Sequence, residues 1–235
     1  MSGERRVRLR RVVAALLDAR GGTGRATAVC DACVSVLSGT DAAAVSLRTP
    51  SGAETVLGAS DDWAVSLEEM QYTVGEGPGL AAHESGRPVL VDDLGGEATR
   101  WPAFVDAAQA AGVRSVATFP LRMGGIRLGV LDLYGRHSGV PTGDAVADAV
   151  VLAELALSAV LDHVSRAEGR GEDWIAAANS YKEVNIATGI IAGRLGISLT
   201  DAFARLRAYA FAQERTLRAV AADVVARRTD LEESG

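Results

Sequence analysis

The spacing of apolar and polar positions divides the chain into segments of two different periods. At the start, ERRVRLRRVVAALLDARG sets Val7, Arg10 or Arg11, Ala14 and Leu17 or Asp18 on a partly apolar stripe and closes on Gly21 and Gly22, which predicts a leading helix. A second helix is expected over residues 24–38. The period then shortens. Residues 42–49 and 54–60 read as strands joined by a turn at Pro50-Ser51-Gly52. Residues 62–88 are helical only in places, broken by GEGPG at 75–79, and PVLVDDL gives a short buried strand. WPAFVDAAQAAG (101–112) predicts a helix, and RSVATFPLRM and IRLGVLDLYGR form a second hairpin across Gly124 and Gly125.

From Gly143 onward the helical period returns. Val146, Val150, Ala153, Leu157, Val160 and Val164 follow a heptad spacing whose phase continues through Ala167, Gly171, Trp174, Ala178 and Tyr181. This seam predicts a homodimer held mainly by the helix around 145–168, with help from the leading helix; the alternative is a helix packed on its own sheet. The glycines of Gly169-Arg170-Gly171 weaken the helix without ending its register, which makes the segment a hinge. Residues 173–195 run as a helix to a stop at Gly196. Ser198 is an N-cap with Asp201 three residues on, and the next helix aligns Leu199, Ala202, Phe203, Leu206, Tyr209 and Ala210. A third helix repeats the spacing at Leu217, Val220, Ala221, Val224 and Val225. Such short amphipathic helices bury their stripes only by packing together as a small bundle.

Composition changes this picture in one respect. Hydrophobic residues at 48% and charged residues at 23% describe a folded chain. No run approaches the roughly 20 apolar residues of a membrane helix, and MSGERRVRLRR lacks the apolar stretch of a signal peptide, so the cytoplasm is the expected location. The net charge of −6, however, is unevenly distributed. Residues 1–172 carry 16 basic and 22 acidic side chains, residues 173–228 carry 8 and 5, and the last seven carry three acids. A polyanion is therefore expected to meet the C-terminal segment.

Candidate chemistry is sparse. Cys30 and Cys33 have a CxxC spacing, but they lie in an apolar helical stretch with no second pair to complete a zinc site. His83, His137 and His163 match no ligand spacing, and adjacent Asp92 and Asp93 point to opposite faces of a strand. His83-Glu84 lies near no nucleophile motif. No catalytic residue, metal or cofactor is expected, and the chain is read as no enzyme.

Residues 75–136, from GEGPGLAAHESGRPVLVDDL to RWPAFVDAAQAAGVRSVATFPLRMGGIRLGVLDLYG, resemble the GAF domain of actinobacterial regulators. Residues 174–228, above all NIATGIIAGRLGISLTDAFARLRAYA and RTLRAVAADVVARR, resemble an ANTAR domain, with Ala187, Gly189, Ala202, Leu206, Arg207 and Ala210 at motif positions. The resemblance implies a dimeric, RNA-binding transcription antiterminator of GAF–ANTAR type, recognising stem-loops in leader transcripts, with the GAF part sensing or signalling. The expected fold is an α/β GAF-like domain, an antiparallel sheet flanked by helices, joined by a long helix to a three-helix all-α bundle. The divisions are a leading helix at 1–22, a sensor domain at 23–165, a signalling helix at 145–172, the ANTAR domain at 173–228 and an acidic tail at 229–235. Two positions depart from the family: Thr188 stands where Lys is usual, and Gly79 where a Cys often follows Gly-Pro.

Arg205 and Arg207 flank Leu206 by about 100° on either side, at the rim of the apolar stripe. Arg194, Arg215 and Arg218 extend this basic surface, and these five are the expected RNA contacts, with Arg227 and Arg228 nearby. A small-molecule ligand of the sensor would sit over the sheet among Trp63, Gln71, Tyr72 and Trp101. The rival readings are a DNA-binding helix-turn-helix at AGRLGISLTDAFARL and a small-molecule sensor acting through protein partners. The recognition helix of the first would open on LTDAFARL, acidic and apolar where base-reading groups belong.

Overall fold

A computed structural model describes residues 2–20, 24–48, 54–169 and 182–229. The turn at Pro50-Ser51-Gly52, most of the proposed hinge, the seam's continuation from Gly171 to Tyr181 and the acidic tail from 230 lie outside the described residues. Strands β1 (Ala42–Arg48), β2 (Glu54–Ala59), β3 (Val89–Val91), β4 (Ser115–Met123) and β5 (Ile126–Gly135) form one five-stranded antiparallel sheet in the order β2-β1-β5-β4-β3. Side chains alternate across it. Ala43, Val45, Leu47, Phe119, Leu131 and Leu133 face one helical layer, made of α1 (Ser2–Ala19), α2 (Arg25–Val36) and α6 (Asp144–Gly169). Ala42, Ala44, Val116 and Tyr134 face the other, where α3 (Asp62–Val74) and α5 (Pro102–Ala110) close the core, with α4 (Pro78–Ser85) beside them. The predicted α/β architecture is the one that forms.

The stretch at 62–88 holds more helix than its broken pattern suggested. Asp61 caps α3 by accepting from Ala64 N at 2.8 Å, and Gly75 ends it in the left-handed conformation, so only residues 75–77 separate α3 from α4. The buried stripe of α1 is also different from the expected one. Leu9 and Val13 are buried and Val12 and Leu16 partly so, whereas Val7 is 48% exposed and Ala14 is exposed. The spacing Leu9-Val12-Val13-Leu16 is free of charge, while the stripe through Arg10 and Arg11 is not. The arginines instead meet acids of α6: Arg5 and Arg8 reach Asp148 at 2.8 and 2.5 Å, Arg5 also bonds Asp144, and Arg6 bonds Glu154.

The heptad seam is largely consumed within the chain. Ala153 and Val160 are buried in the first core and Leu157 and Val164 are packed against it, leaving Val150, at 42%, as the strongly exposed member among the described residues. Helix α6 thus packs on its own sheet and on α1 and α2, as the alternative reading has it.

Helices α7 (Lys182–Leu195), α8 (Leu199–Ala212) and α9 (Leu217–Val225) make the predicted C-terminal bundle. Val184, Ala187, Ile191, Leu206, Leu217 and Val220 form its core, each large aliphatic side chain contributing about 1.5–3 kcal/mol on full burial. Gly196 takes a φ of 63°, and Ser198 accepts from Asp201 N at 3.1 Å, so the stop and the cap stand where the sequence put them. Leu199 departs from its assigned stripe and is 60% exposed. It occupies the first position of α8, beyond the end of the bundle core. Among the described residues no single helix is long and apolar enough to cross a membrane.

Candidate functional site

Three of the predicted RNA-contacting arginines have the placement that helical geometry gives them. Arg194 at the end of α7, Arg205 on α8 and Arg218 on α9 are exposed, as is Arg215 just before α9. Arg215 is already engaged with Asp223 at 2.6 Å, and Arg228 meets the same carboxylate at 2.7 Å. These two arginines pull the Asp223 carboxyl below its ordinary range. Arg207 is half-buried: it stacks 4.5 Å over the Phe203 ring and lies against Gly75 of the sensor domain. Thr188 points inward, its hydroxyl donating to Val184 O at 2.7 Å, so the position where the family has Lys supplies no surface group here.

The four expected pocket residues do not share one environment. Trp63 donates from Nε1 to Ala111 O at 3.0 Å beneath the Arg136 guanidinium, 3.7 Å from its ring. Trp101 packs edge-on to Phe104 at 6.4 Å in the second core. Tyr72 faces the C-terminal bundle. Gln71 enters a polar site, donating to the Tyr134 hydroxyl at 3.4 Å and accepting from Gly79 N at 2.8 Å.

That polar site escaped the sequence reading. Ser46 and Arg48 on β1, Glu54 on β2, Thr118 on β4, and Asp132 and Tyr134 on β5 are all buried, together with Glu68 of α3. Ser46 donates to Glu68, the Tyr134 hydroxyl donates to Glu68 at 2.6 Å, and Thr118 donates to Asp132. Arg48 Nη2 approaches Glu54 Oε2 at 2.9 Å. The approach lacks hydrogen-bond geometry, and Arg48 Nε, both Glu54 oxygens and Asp132 Oδ2 have no hydrogen-bond partner among the described residues. Removing such groups from water is costly unless they are paired. Burial accordingly pushes the Glu54 carboxyl up to about 8 against the pull of Arg48, and burial followed by the charge of Glu68 raises Asp132 well above its usual value. Gly79 makes the site possible at close quarters: a Cβ there would stand 2.8 Å from Gln71 Nε2 and 3.1 Å from Arg48 Nη2. It lies in the first turn of α4, at the end of the GEGPG stretch that breaks the helical pattern in sequence.

The remaining candidates are structural. Cys30 and Cys33 are buried, free thiols in the first core, both raised by burial, and Cys30 Sγ sits 3.5 Å from Gly58 O. Among the described residues, no three His, Cys, Asp or Glu side chains are grouped to hold a metal ion.

A sheet covered by helices on both faces, with a buried polar site under α3 and α4 and a basic helical bundle attached, defines a two-domain sensor-type regulator. Residues 26–160 match the GAF domain family, and residues 173–225 match the ANTAR domain family. The chain belongs to the GAF domain family and carries a C-terminal ANTAR domain. No curated protein matches it. Among solved structures, it is similar to the GAF domain of an Acinetobacter phosphoenolpyruvate-protein phosphotransferase, at 13% identity over 72% of this chain and 98% of that one, with a TM-score of 0.50. It is also similar to the N-acylhomoserine lactone dependent LuxR family transcription factor CepR2 from Burkholderia cenocepacia, at 16% identity over 70% of this chain and 98% of that one, with a TM-score of 0.50. Both likenesses are of fold alone.

Proposed function

We propose that this protein is a cytoplasmic, signal-responsive antitermination regulator of the actinobacterial type, whose ANTAR bundle binds stem-loop RNA in leader transcripts. The match of residues 173–225 to the ANTAR domain carries the reading. The charge distribution supports it, since residues 173–228 hold 8 basic against 5 acidic side chains in an otherwise acidic chain. Arg194, Arg205, Arg207, Arg215 and Arg218 meet the phosphates, each contributing to the salt dependence of binding. The protein acts as a homodimer, presenting two bundles to two loops. The sensor responds to a small molecule or partner at the buried site of Gln71, Arg48, Glu54, Glu68 and Asp132; of the residues first expected to line a pocket, Trp63, Tyr72 and Trp101 are assigned to packing.

The test is a titration of the full chain against a stem-loop RNA, a scrambled RNA and a duplex DNA of equal length. Tighter binding to the stem-loop is expected, with Arg205→Ala weakening it and flattening its salt slope. Equal affinity for all three would reduce the interaction to charge, and a preference for the duplex would favour helix-turn-helix DNA recognition.

A further inference from the structure

The C-terminal bundle is seated on the last turn of α3. Tyr72 is 3% exposed and belongs to the same apolar cluster as Leu206 and Leu217, with its ring 5.6 Å from that of Phe203. The seat is polar as well as apolar. Helix α9 has Thr216 as its N-cap, accepting from Ala219 N at 3.2 Å, which leaves the first-turn N–H of Leu217 to find a partner elsewhere. It donates to Thr73 Oγ1 of the sensor domain, at 3.2 Å in a buried setting. Gly75, with φ 73°, completes the seat: a Cβ there would lie 2.2 Å from Arg207 Nη1 and 2.5 Å from its Cζ. Arg207 Nε has no hydrogen-bond partner among the described residues, and burial draws the guanidinium below its usual range. Beside this contact, a cleft of about 400 Å³ sets Arg218 among Asp61, Asp62 and Glu69.

We infer that this seat is a gate within the chain: while the bundle is docked on α3, Phe203 and Arg207 are held by Tyr72 and Gly75, and RNA competes with the sensor domain for Arg207. The inference rests on the RNA-binding reading and adds its regulation. A guanidinium held against Gly75 and stacked on Phe203, with its Nε buried, must leave the seat to turn its full set of donors to a phosphate, so full engagement of Arg207 requires the bundle to lift. The observed affinity is then the intrinsic one multiplied by the undocked fraction. A signal that reshapes α3 alters that fraction without touching the RNA surface. The buried polar site provides such a route, because Gln71 and Glu68 stand on the helix whose end forms the seat.

Two substitutions open the seat while leaving every RNA-contacting arginine in the chain unreplaced. Gly75→Ala places a methyl group on Arg207, and Thr73→Val removes the acceptor of the Leu217 amide while keeping the shape. The full chain, wild type and both variants, would be titrated with a labelled RNA hairpin, and hydrogen exchange would be followed at the Leu217 amide and across β4 and β5. Protection at Leu217 in the wild type, its loss in the variants with the sheet still protected, and hairpin binding tighter by about five- to tenfold are expected. Hairpin affinity that is unchanged or weaker in variants with a freed Leu217 amide overturns the gate and leaves RNA binding standing. A Leu217 amide exchanging equally fast in all three proteins also overturns it, since the seat is then absent in solution. No hairpin binding by any of them removes the RNA-binding reading and the gate with it.

Discussion

Glu54 is a carboxyl buried in an environment its ionised form does not favour. A carboxyl held at about 8 binds a proton in the folded protein that it releases in the unfolded chain over most of the neutral range. Folding stability therefore falls as pH rises from the ordinary carboxylate range toward 8, and Asp132, also raised, acts in the same direction. His83 acts oppositely at lower pH, because burial and then Arg48 lower its pKa and its contribution is lost as pH falls below about 6.5. The window between about 6.5 and 8 isolates the carboxylates. There the wild type should lose on the order of 1 kcal/mol per pH unit for each fully shifted group. Thermal melts at matched ionic strength should show a falling Tm across that window and a shallower fall for Glu54→Gln. A flat wild-type profile would mean that the buried carboxyls ionise without cost. At Leu206, completely buried between the helices of the bundle, truncation to alanine should remove about 2–5 kcal/mol and lower the Tm of the whole molecule, because Tyr72 ties the bundle core to the sensor domain.

At the scale of elements, the clearest expectation concerns α6. Its seam predicts a dimer interface because heptad spacing would otherwise leave apolar side chains in water. The chain itself covers Ala153 and Val160, and what remains for a partner is Val150 with the half-buried Val146, Leu157 and Val164. A dimer built on so narrow a stripe should dissociate at low concentration. Light scattering over a dilution series should find a dimer giving way to monomer, and Val150→Asp should shift the balance toward monomer; a monomer at every concentration would end the dimer proposal. The same helix shows where sequence is ambiguous. Periodicity identifies an apolar face on a helix but not what covers it, because a sheet and a second copy ask for the same residues. Elements whose signal is local were legible: both hairpin strand pairs, the Gly196 stop, the Ser198 cap and the bundle stripes. The buried polar site was not, because its members come from four strands and a helix. One trace of it was visible, in the polar residues at every second position inside apolar strands: Ser46 and Arg48 in AAAVSLR, Asp132 in VLDLYG and Thr118 in SVATFP. Sequence spacing cannot say that Ala44 and Thr118 both stand opposite Asp132, which only the strand register supplies.

The whole molecule is joined by a seat formed of side chains that look ordinary in sequence. Tyr72 reads as a pocket residue, Phe203 as bundle core and Arg207 as a surface cation, yet the three meet across the domain boundary. Because Tyr72 contributes to the apolar cluster of the bundle, unfolding the bundle exposes part of α3, and unfolding the sensor strips a wall from the bundle. The two domains should therefore unfold as a coupled unit even though residues 173–225 match a domain family of their own. Phe203→Ala weakens that coupling from the bundle side, removing the ring that both Tyr72 and Arg207 pack against, while Leu206 and the rest of the core remain in place. Calorimetry should show one cooperative transition for the wild type and two separated transitions for the variant, the earlier one accompanied by loss of helical far-ultraviolet signal. A single transition retained in the variant, with only a lowered midpoint, would show that contacts other than the Phe203 stack hold the domains together. Two transitions already present in the wild type would show that the seat contributes too little to couple them.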